Sequence, residues 1–351
     1  MQIGQRGHKS LVLLGAGATR GSYKGIGTAK IRPPLNGDFF QIARRFVQTV
    51  EGRRYRAAMD RLNSFIETEM GDGASGTPTM EQVFNVLFMS KDLPRVFFKR
   101  GKPRTAGYRV EIKDFVTLVV ALLRFVQMNP KHPGGIDHHA RLVAHLEPGD
   151  AVLSLNYDTL IDNALAERGW NPRRGYGFTL DPTKIRRAHY PVDDAVLDEV
   201  LLLKPHGSLN WFTRGSVQNL EGALQRKRTP KIEVGGVPRA NLATGQVRLF
   251  IPPLYVKFFA NPFWRAIWEK AFLSARDAKV LVIIGCSLIE TDFHLRSILA
   301  SALARRQEKY RRLVIVEPSA TVVKRLKSFL RGRAERTDAF QDFSDFVQAL
   351  D

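Results

Sequence analysis

The sequence predicts an α/β fold: a Rossmann-type, doubly wound and mostly parallel sheet with an inserted helical subdomain. Three observations carry that expectation. Short apolar runs recur at Ser10 to Leu14, Ala151 to Leu155, Val200 to Leu203, Val247 to Ile251, Val280 to Ile284 and Leu313 to Val316. Several are almost uniformly apolar, the pattern of strands buried on both faces. Helical stretches separate some of them, and function in sheets of this kind gathers at the carboxyl ends of the strands.

The first run is short. Arg6 and Lys9 precede Leu11 to Leu14, an arrangement that superficially resembles a secretory signal, but only four large apolar residues come before two glycines. It reads as a mature first strand running into a turn. More than a hundred residues with helical periodicity follow, including Phe39 to Val50, Arg53 to Met70, Met80 to Phe88 and Ile112 to Met128. This is the expected helical insertion, residues 39–148, broken by loops at Gly71 to Pro78 and Lys99 to Tyr108. A second insertion, Thr213 to Arg248, is rich in Gly, Arg and Lys and reads as a basic hairpin or mobile loop. The whole chain, residues 1–351, is expected to form one domain carrying these two insertions. The most apolar helical stretch, Phe115 to Val126, is interrupted by Arg124 and falls short of the roughly 20 residues of a membrane span.

Composition narrows the function classes. The 351 residues carry 54 Lys plus Arg against 34 Asp plus Glu, a formal net charge of +20, and 44% are hydrophobic. Such a chain is too apolar for a disordered basic tail and too charged for a membrane bundle. The one cysteine, Cys286, excludes an intrachain disulfide and any zinc site built on paired Cys-x-x-Cys thiolates, and it fits a reducing cytoplasm. A surface this basic attracts nucleic acid, anionic lipid and nucleotides alike. The cations are scattered, with clusters at Arg44, Arg45, Arg53, Arg54 and Arg56, at Arg173 and Arg174, and from Arg305 to Arg336. Solvated helix faces and a nucleic-acid surface both account for them.

The residues with chemical potential stand where the apolar runs end. The first run leads into Gly15-Ala16-Gly17-Ala18-Thr19-Arg20-Gly21. Glycines there let a backbone approach a pyrophosphate, although the third is one place late for G-x-G-x-x-G and a plain tight turn reads as well. Asp38 lies at about the distance of a ribose-binding acid, yet its surroundings, Pro33 to Phe40, mark it more as a helix N-terminal residue. The second run ends in Asn156-Tyr157-Asp158-Thr159, placing three polar side chains where they can grip a ligand or cap a helix. The third ends in Lys204-Pro205-His206-Gly207-Ser208, and a histidine at a strand end can serve as a general base. Later runs end in Gly285-Cys286-Ser287-Leu288 with Asp292, and in Val316-Glu317-Pro318. Each reads as a ligand contact or as an ordinary turn.

Taken together and in order, these segments resemble the sirtuin family, specifically its bacterial sirtuin-like branch. The likeness rests on Gly15 to Ala18, Asn156-Tyr157-Asp158, His206-Gly207-Ser208, Ile251-Pro252-Pro253 with Lys257, Ile284 to Leu288 with Asp292, and Val316-Glu317-Pro318. It spans nearly the whole chain apart from the insertions. The resemblance implies NAD as substrate, held in a cleft between a Rossmann-type domain and a smaller module. Gly15, Ala16, Gly17, Ala18 and Thr19 would face the pyrophosphate, and Asn156 and Asp158 the nicotinamide ribose. His206 would be the base, with Gly207 and Ser208 beside it. Gly285, Cys286, Ser287, Asp292 and Glu317 would serve the adenosine half, with Asp38 as a further contact.

Departures from that family shape the expectation. One cysteine cannot build the four-cysteine zinc module of protein-deacylating sirtuins, so no metal is expected. Leu155 stands where those enzymes carry glutamine, and Pro34-Leu35-Asn36-Gly37-Asp38 takes the place of their Gly-x-Pro-Asp-Phe-Arg loop. The chain is similar instead to sirtuin-like NAD hydrolases of prokaryotic antiviral defence, which deplete NAD once infection is sensed (abortive infection). By that analogy it would be a cytoplasmic NAD glycohydrolase, gated by homo-oligomerisation or by a HerA-type ATPase or an Argonaute partner. Two rivals stand beside this reading. One is a nucleic-acid-binding or nuclease-type subunit acting through the basic surface, for which Asp137-His138-His139 matches a short phosphoesterase signature. The other is an ADP-ribosyl transferase using the same cleft.

Overall fold

The computed structural model describes residues 3, 9–23, 30–71, 77–90, 109–128, 134–180, 188–189, 199–214, 232–234, 246–251, 262–288 and 292–351. The basic loop expected at Lys99 to Tyr108 and most of the 213–248 insertion lie outside them, as do Pro252, Pro253 and Lys257. The chain divides into two compact units, Met1–Tyr23 with Pro133–Ile251 and Lys257–Asp351, and Lys24–His132 with Pro252–Val256.

The first unit begins with β1 (Ser10–Leu14) and α1 (Ala16–Gly21) and resumes with α6 (Gly134–Ala144), β2 (Ala151–Ser154), α7 (Leu160–Glu167) and α8 (Pro172–Gly175). The short strands β3 (Thr179–Leu180) and β4 (Ala188–His189) come next, then β5 (Leu201–Leu203), β6 (Gly207–Arg214), β7 (Ile232–Val234) and β8 (Gln246–Phe250). It closes with α9 (Pro262–Asp277), β9 (Val280–Ile284), α10 (Phe293–Ala304), β10 (Tyr310–Val316), α11 (Ala320–Phe329), β11 (Ala334–Phe340) and α12 (Phe343–Leu350). The second unit holds α2 (Phe39–Phe46), α3 (Arg56–Phe65), α4 (Met80–Ser90) and α5 (Arg109–Met128).

Six strands of the first unit pair in the order β11-β10-β9-β1-β2-β5, every pair parallel. Counting only these strands along the chain, the spatial order is 3-2-1-4-5-6, the doubly wound Rossmann arrangement. Leu11 to Leu14 are fully covered, with β2 on one side in register Leu11 to Ala151 and β9 on the other in register Leu11 to Leu281. Burial on both faces is why these runs show no alternation.

Two strands depart from the sequence expectation. The Val247 to Ile251 run does not join the parallel sheet; β8 pairs antiparallel with β6 in a separate sheet of order β7-β6-β8. Arg248 in its middle is buried and donates to the Leu209 carbonyl at 2.6 Å, a partner that a strand covered on both faces by apolar side chains would lack. Conversely, β11 completes the sheet without an apolar run. Ala334-Glu335-Arg336-Thr337-Asp338 sits at an edge, mostly exposed, and Asp338 pairs with Arg312 of β10 at 2.6 Å. Edge strands tolerate such polarity because one side faces water.

In the helical unit, α2 buries Phe39, Ile42, Ala43 and Phe46, an i, i+3, i+4, i+7 stripe, together with Phe40. Phe39 and Phe40 meet Phe115 of α5, which also meets Phe84 of α4. Among the described residues, no helix is long and apolar enough to cross a membrane.

The reversal of winding falls between β1 and β9, where two glycine turns lie backbone against backbone. Gly15 N–H donates to Ile284 O at 3.0 Å and Gly17 N–H to Gly285 O at 2.9 Å. A Cβ on Gly17 would stand 2.6 Å from the Gly285 Cα, and one on Gly285 would stand 2.2 Å from the Ala18 nitrogen. Gly285 also has φ +56°, which a β-carbon strains. Gly285→Ala is therefore expected to lower stability by about 3 kcal/mol or more, read as a shifted urea midpoint, whereas exposed Gly37→Ala, with open space around it, changes it little.

Candidate functional site

Asn156 and Asp158 leave the end of β2 and turn back toward the first glycine turn. Asn156 Nδ2 donates to the Gly15 carbonyl at 2.9 Å and to Thr19 Oγ1 at 3.0 Å. Thr19 Oγ1 donates in turn to Asp158 Oδ2 at 2.7 Å, while Asp158 Oδ1 accepts from the Leu160 N–H at 3.1 Å. All three side chains are buried. Because a main-chain carbonyl only accepts, the bond to Gly15 O fixes which end of the Asn156 amide carries its hydrogens. Its Oδ1 is left as the acceptor end. Asp158 spends both oxygens on Thr19 and the Leu160 N–H, and burial, helped by the Asp158 charge, raises the Tyr23 phenol.

The His206-Gly207-Ser208 segment is strapped alongside. His206 Nδ1 lies 3.2 Å from the Leu155 carbonyl, Ser208 Oγ 3.5 Å from the Tyr157 carbonyl, and Leu209 N–H donates to that same oxygen at 2.8 Å. The acceptor-only Leu155 oxygen places the proton of a neutral His206 ring on Nδ1 and makes Nε2 the basic nitrogen. The ring is half-buried beside Tyr157 and Trp268. Gly207 turns the chain at φ +79°. Amide and imidazole thus emerge from adjacent strand ends, the imidazole resting on the residue just before Asn156.

Sequence reading passed over the polar group beneath them. Lys204 is wholly buried and bonds to the Asp158 carbonyl and to Asp162, which Tyr176 also contacts. Burial, helped by the Asp162 charge, pushes the Tyr176 phenol well above its usual range. Removing one partner of such a pair costs about 3–5 kcal/mol because the other charge is stranded. The available signal was a lysine placed directly after a strand buried among apolar neighbours.

The second glycine turn holds the remaining candidates. The room a side chain would need at Gly285 is taken by Gly17 and Ala18. Cys286 faces the core, where burial pushes its thiol up to about 12. Ser287 is half-buried, and its carbonyl accepts from Arg325 at 2.6 Å. Burial raises the Glu317 carboxyl, against the Ser319 N–H it accepts from and the nearby Arg325. Glu317, Pro318, Val323, Lys324, Lys327 and Phe340 line a groove of about 620 Å³ at the ends of β10 and β11. Asp292 precedes α10 without a side-chain cap bond. Asp38 belongs to the helical unit, where it precedes α2 and accepts from the Leu35 N–H at 2.8 Å. His138 and His139 pack in α6 against Phe343. Among the described residues no group of three or more His, Cys, Asp or Glu is arranged to hold a metal ion.

Residues 150–336, more than half of the chain, match the SIR2-like domain. The chain belongs to the SIR2-like family. The match takes in the Asn156, His206 and Gly285 segments and leaves the first glycine turn outside it. No curated protein matches this SIR2-like chain significantly. Among solved structures, a Sir2 homologue in complex with NAD aligns over 97% of this chain and 86% of its own at 12% identity and TM-score 0.34. Sir2 in complex with the inhibitor EX-527, 2'-O-acetyl-ADP-ribose and a deacetylated p53 peptide aligns over 97% and 92% at 12% identity and TM-score 0.33. Sir2Tm bound to a propionylated peptide covers 68% and 80% at 15% identity and TM-score 0.31. The fold assignment rests on the strand order, and family membership on the domain match.

Thr19 links the Asn156 amide to the Asp158 carboxylate. Thr19→Val is expected to cost about 1–3 kcal/mol by leaving a buried carboxylate and amide short of a partner, and Thr19→Ser to restore most of it, both measured by urea unfolding.

Proposed function

We propose that this SIR2-like chain is an NAD glycohydrolase that cleaves the bond between nicotinamide and ribose to give ADP-ribose, nicotinamide and a proton. The observation that carries the reading is the pairing at adjacent strand ends of an oriented amide, Asn156, with an imidazole whose Nε2 is the basic nitrogen, His206. Asn156 follows β2, the neighbour of β1 at the reversal of winding where doubly wound sheets bind nucleotides, and His206 follows β5, one strand further out.

Nicotinamide leaves NAD as a neutral base, so its departure needs no general acid, and the ribose gains oxocarbenium character. Water then bonds to the anomeric carbon. Asn156 Oδ1 accepts one hydrogen of that water and aims its lone pair, and His206 Nε2 takes the proton that is lost. Asp158 bounds the nicotinamide ribose and keeps Thr19 and Asn156 in place. Gly15, Ala16, Gly17, Ala18 and Thr19 face the pyrophosphate. Since the amides of Gly15, Gly17 and Ala18 already donate to the protein's own carbonyls, the turn serves chiefly by allowing close approach. The groove at Glu317 takes the adenosine half, and the Gly285 to Ser287 turn serves that same half.

An ungated enzyme of this kind would drain its own cell of NAD. Control through self-assembly, or through a partner such as a HerA-type ATPase or an Argonaute, fits a role in antiviral defence by NAD depletion.

Purified protein incubated with labelled NAD is expected to release free ADP-ribose and nicotinamide, alone or with lysate from infected cells. Label trapped on protein or nucleic acid points to ADP-ribosyl transfer. Steeply salt-dependent DNA binding with NAD left intact points to the nucleic-acid reading. Asn156→Ala and His206→Ala should each abolish turnover with the circular dichroism spectrum unchanged, and full activity in either variant refutes the assignment.

A further inference from the structure

Lys204 follows β5 directly, and its ammonium lies 2.5 Å from the Asp158 carbonyl oxygen and 2.8 Å from Asp162 Oδ2. Asp162, in the first turn of α7, also accepts from the Tyr176 hydroxyl, which accepts from Asn210 Nδ2 of β6 at 3.1 Å. All four side chains are buried. The network joins β5, β6, α7 and the segment after α8, and it reaches the catalytic segment at one point, the Asp158 carbonyl. Asp158 is therefore gripped from two sides, by its carboxylate toward Thr19 and by its carbonyl toward Lys204.

An ion pair with Asp162 alone would already match the two buried charges, and an apolar pair of similar volume would pack as well. The bond to a main-chain carbonyl in the strand-to-helix loop adds something neither of those supplies. It pins a peptide two residues from Asn156, in the turn between β2 and α7, one residue beyond the carbonyl that Leu209 holds. We propose that Lys204 is a positioning residue, whose ammonium sets the Asp158 peptide and through it the placement of Asn156 and Thr19. The assignment rests on the reading that Asn156 to Asp158 face the glycosidic bond of NAD. A displacement of an ångström at a reacting group costs about 100-fold in rate.

The test compares wild type, Lys204→Met/Asp162→Leu, Asp162→Asn and Lys204→Arg for thermal midpoint, NAD turnover and amide hydrogen exchange over residues 155–160. The double variant removes both charges, so neither is stranded. It is expected to fold cooperatively with kcat lowered about 100-fold, KM changed less than about threefold, and faster exchange at 156–160. Asp162→Asn leaves Lys204 on the Asp158 carbonyl and should keep turnover within about threefold of wild type even as its midpoint drops. Lys204→Arg keeps the charge but moves the donor; it should show the same loss in kcat, and it decides the matter should the double variant not fold. Wild-type kcat and exchange in the double variant overturn the proposal, and so does an equal loss of turnover in Asp162→Asn. A wild-type protein inert toward NAD both alone and with lysate from infected cells sinks the glycohydrolase reading instead. The exchange comparison then decides for Lys204 alone, faster exchange upholding its role and unchanged exchange overturning it.

Discussion

Everything at this site depends on two peptide turns approaching closer than any side chain allows. Gly15 and Gly17 after β1 donate to the carbonyls of Ile284 and Gly285 after β9, and the glycines leave no β-carbon in the way. The contact lies where the sheet reverses its winding, the position at which helices diverge to opposite faces and leave a crevice. It ties the two halves of the sheet together at their carboxyl ends. It also fixes the Gly15 carbonyl, to which Asn156 anchors its amide.

From that anchor a single chain of hydrogen bonds runs outward: Gly15 O to Asn156, Asn156 to Thr19, Thr19 to Asp158, and from the Asp158 carbonyl to Lys204 and Asp162. Its members are buried, so each bond acts in a low dielectric where a missing partner is costly and a satisfied set holds one geometry. His206 is positioned separately, by the straps between the segment after β5 and the segment after β2. The amide is thus held by the Gly15 carbonyl and the Thr19 hydroxyl, and the imidazole by the Leu155 carbonyl.

Much of this was legible in the sequence for a plain reason: a strand covered on both faces must be apolar throughout. Leu11 to Leu14, Val152 and Leu153, and Leu281 to Ile284 announced themselves that way. The polar residues at the run ends, Asn156 and His206, were likewise readable as candidates because parallel strands deliver their carboxyl ends to one side. What was not legible had no one-dimensional signature. The edge strand at Ala334 to Phe340 is polar, the run around Arg248 does not say which sheet it joins, and the position of Lys204 after β5 does not name the Asp158 carbonyl and Asp162 that it meets.

The sequence by itself therefore determined the α/β class and the set of strand-end residues from which a candidate site is drawn. Only the tertiary structure decided the strand order, the placing of β8 in its own sheet, and the partner of each polar group. Local pattern records whether a side chain meets water or apolar neighbours. Which acceptor a buried donor finds depends on contacts more than a hundred residues apart, as between Asn156 and Gly15, and those exist only once the chain has closed on itself.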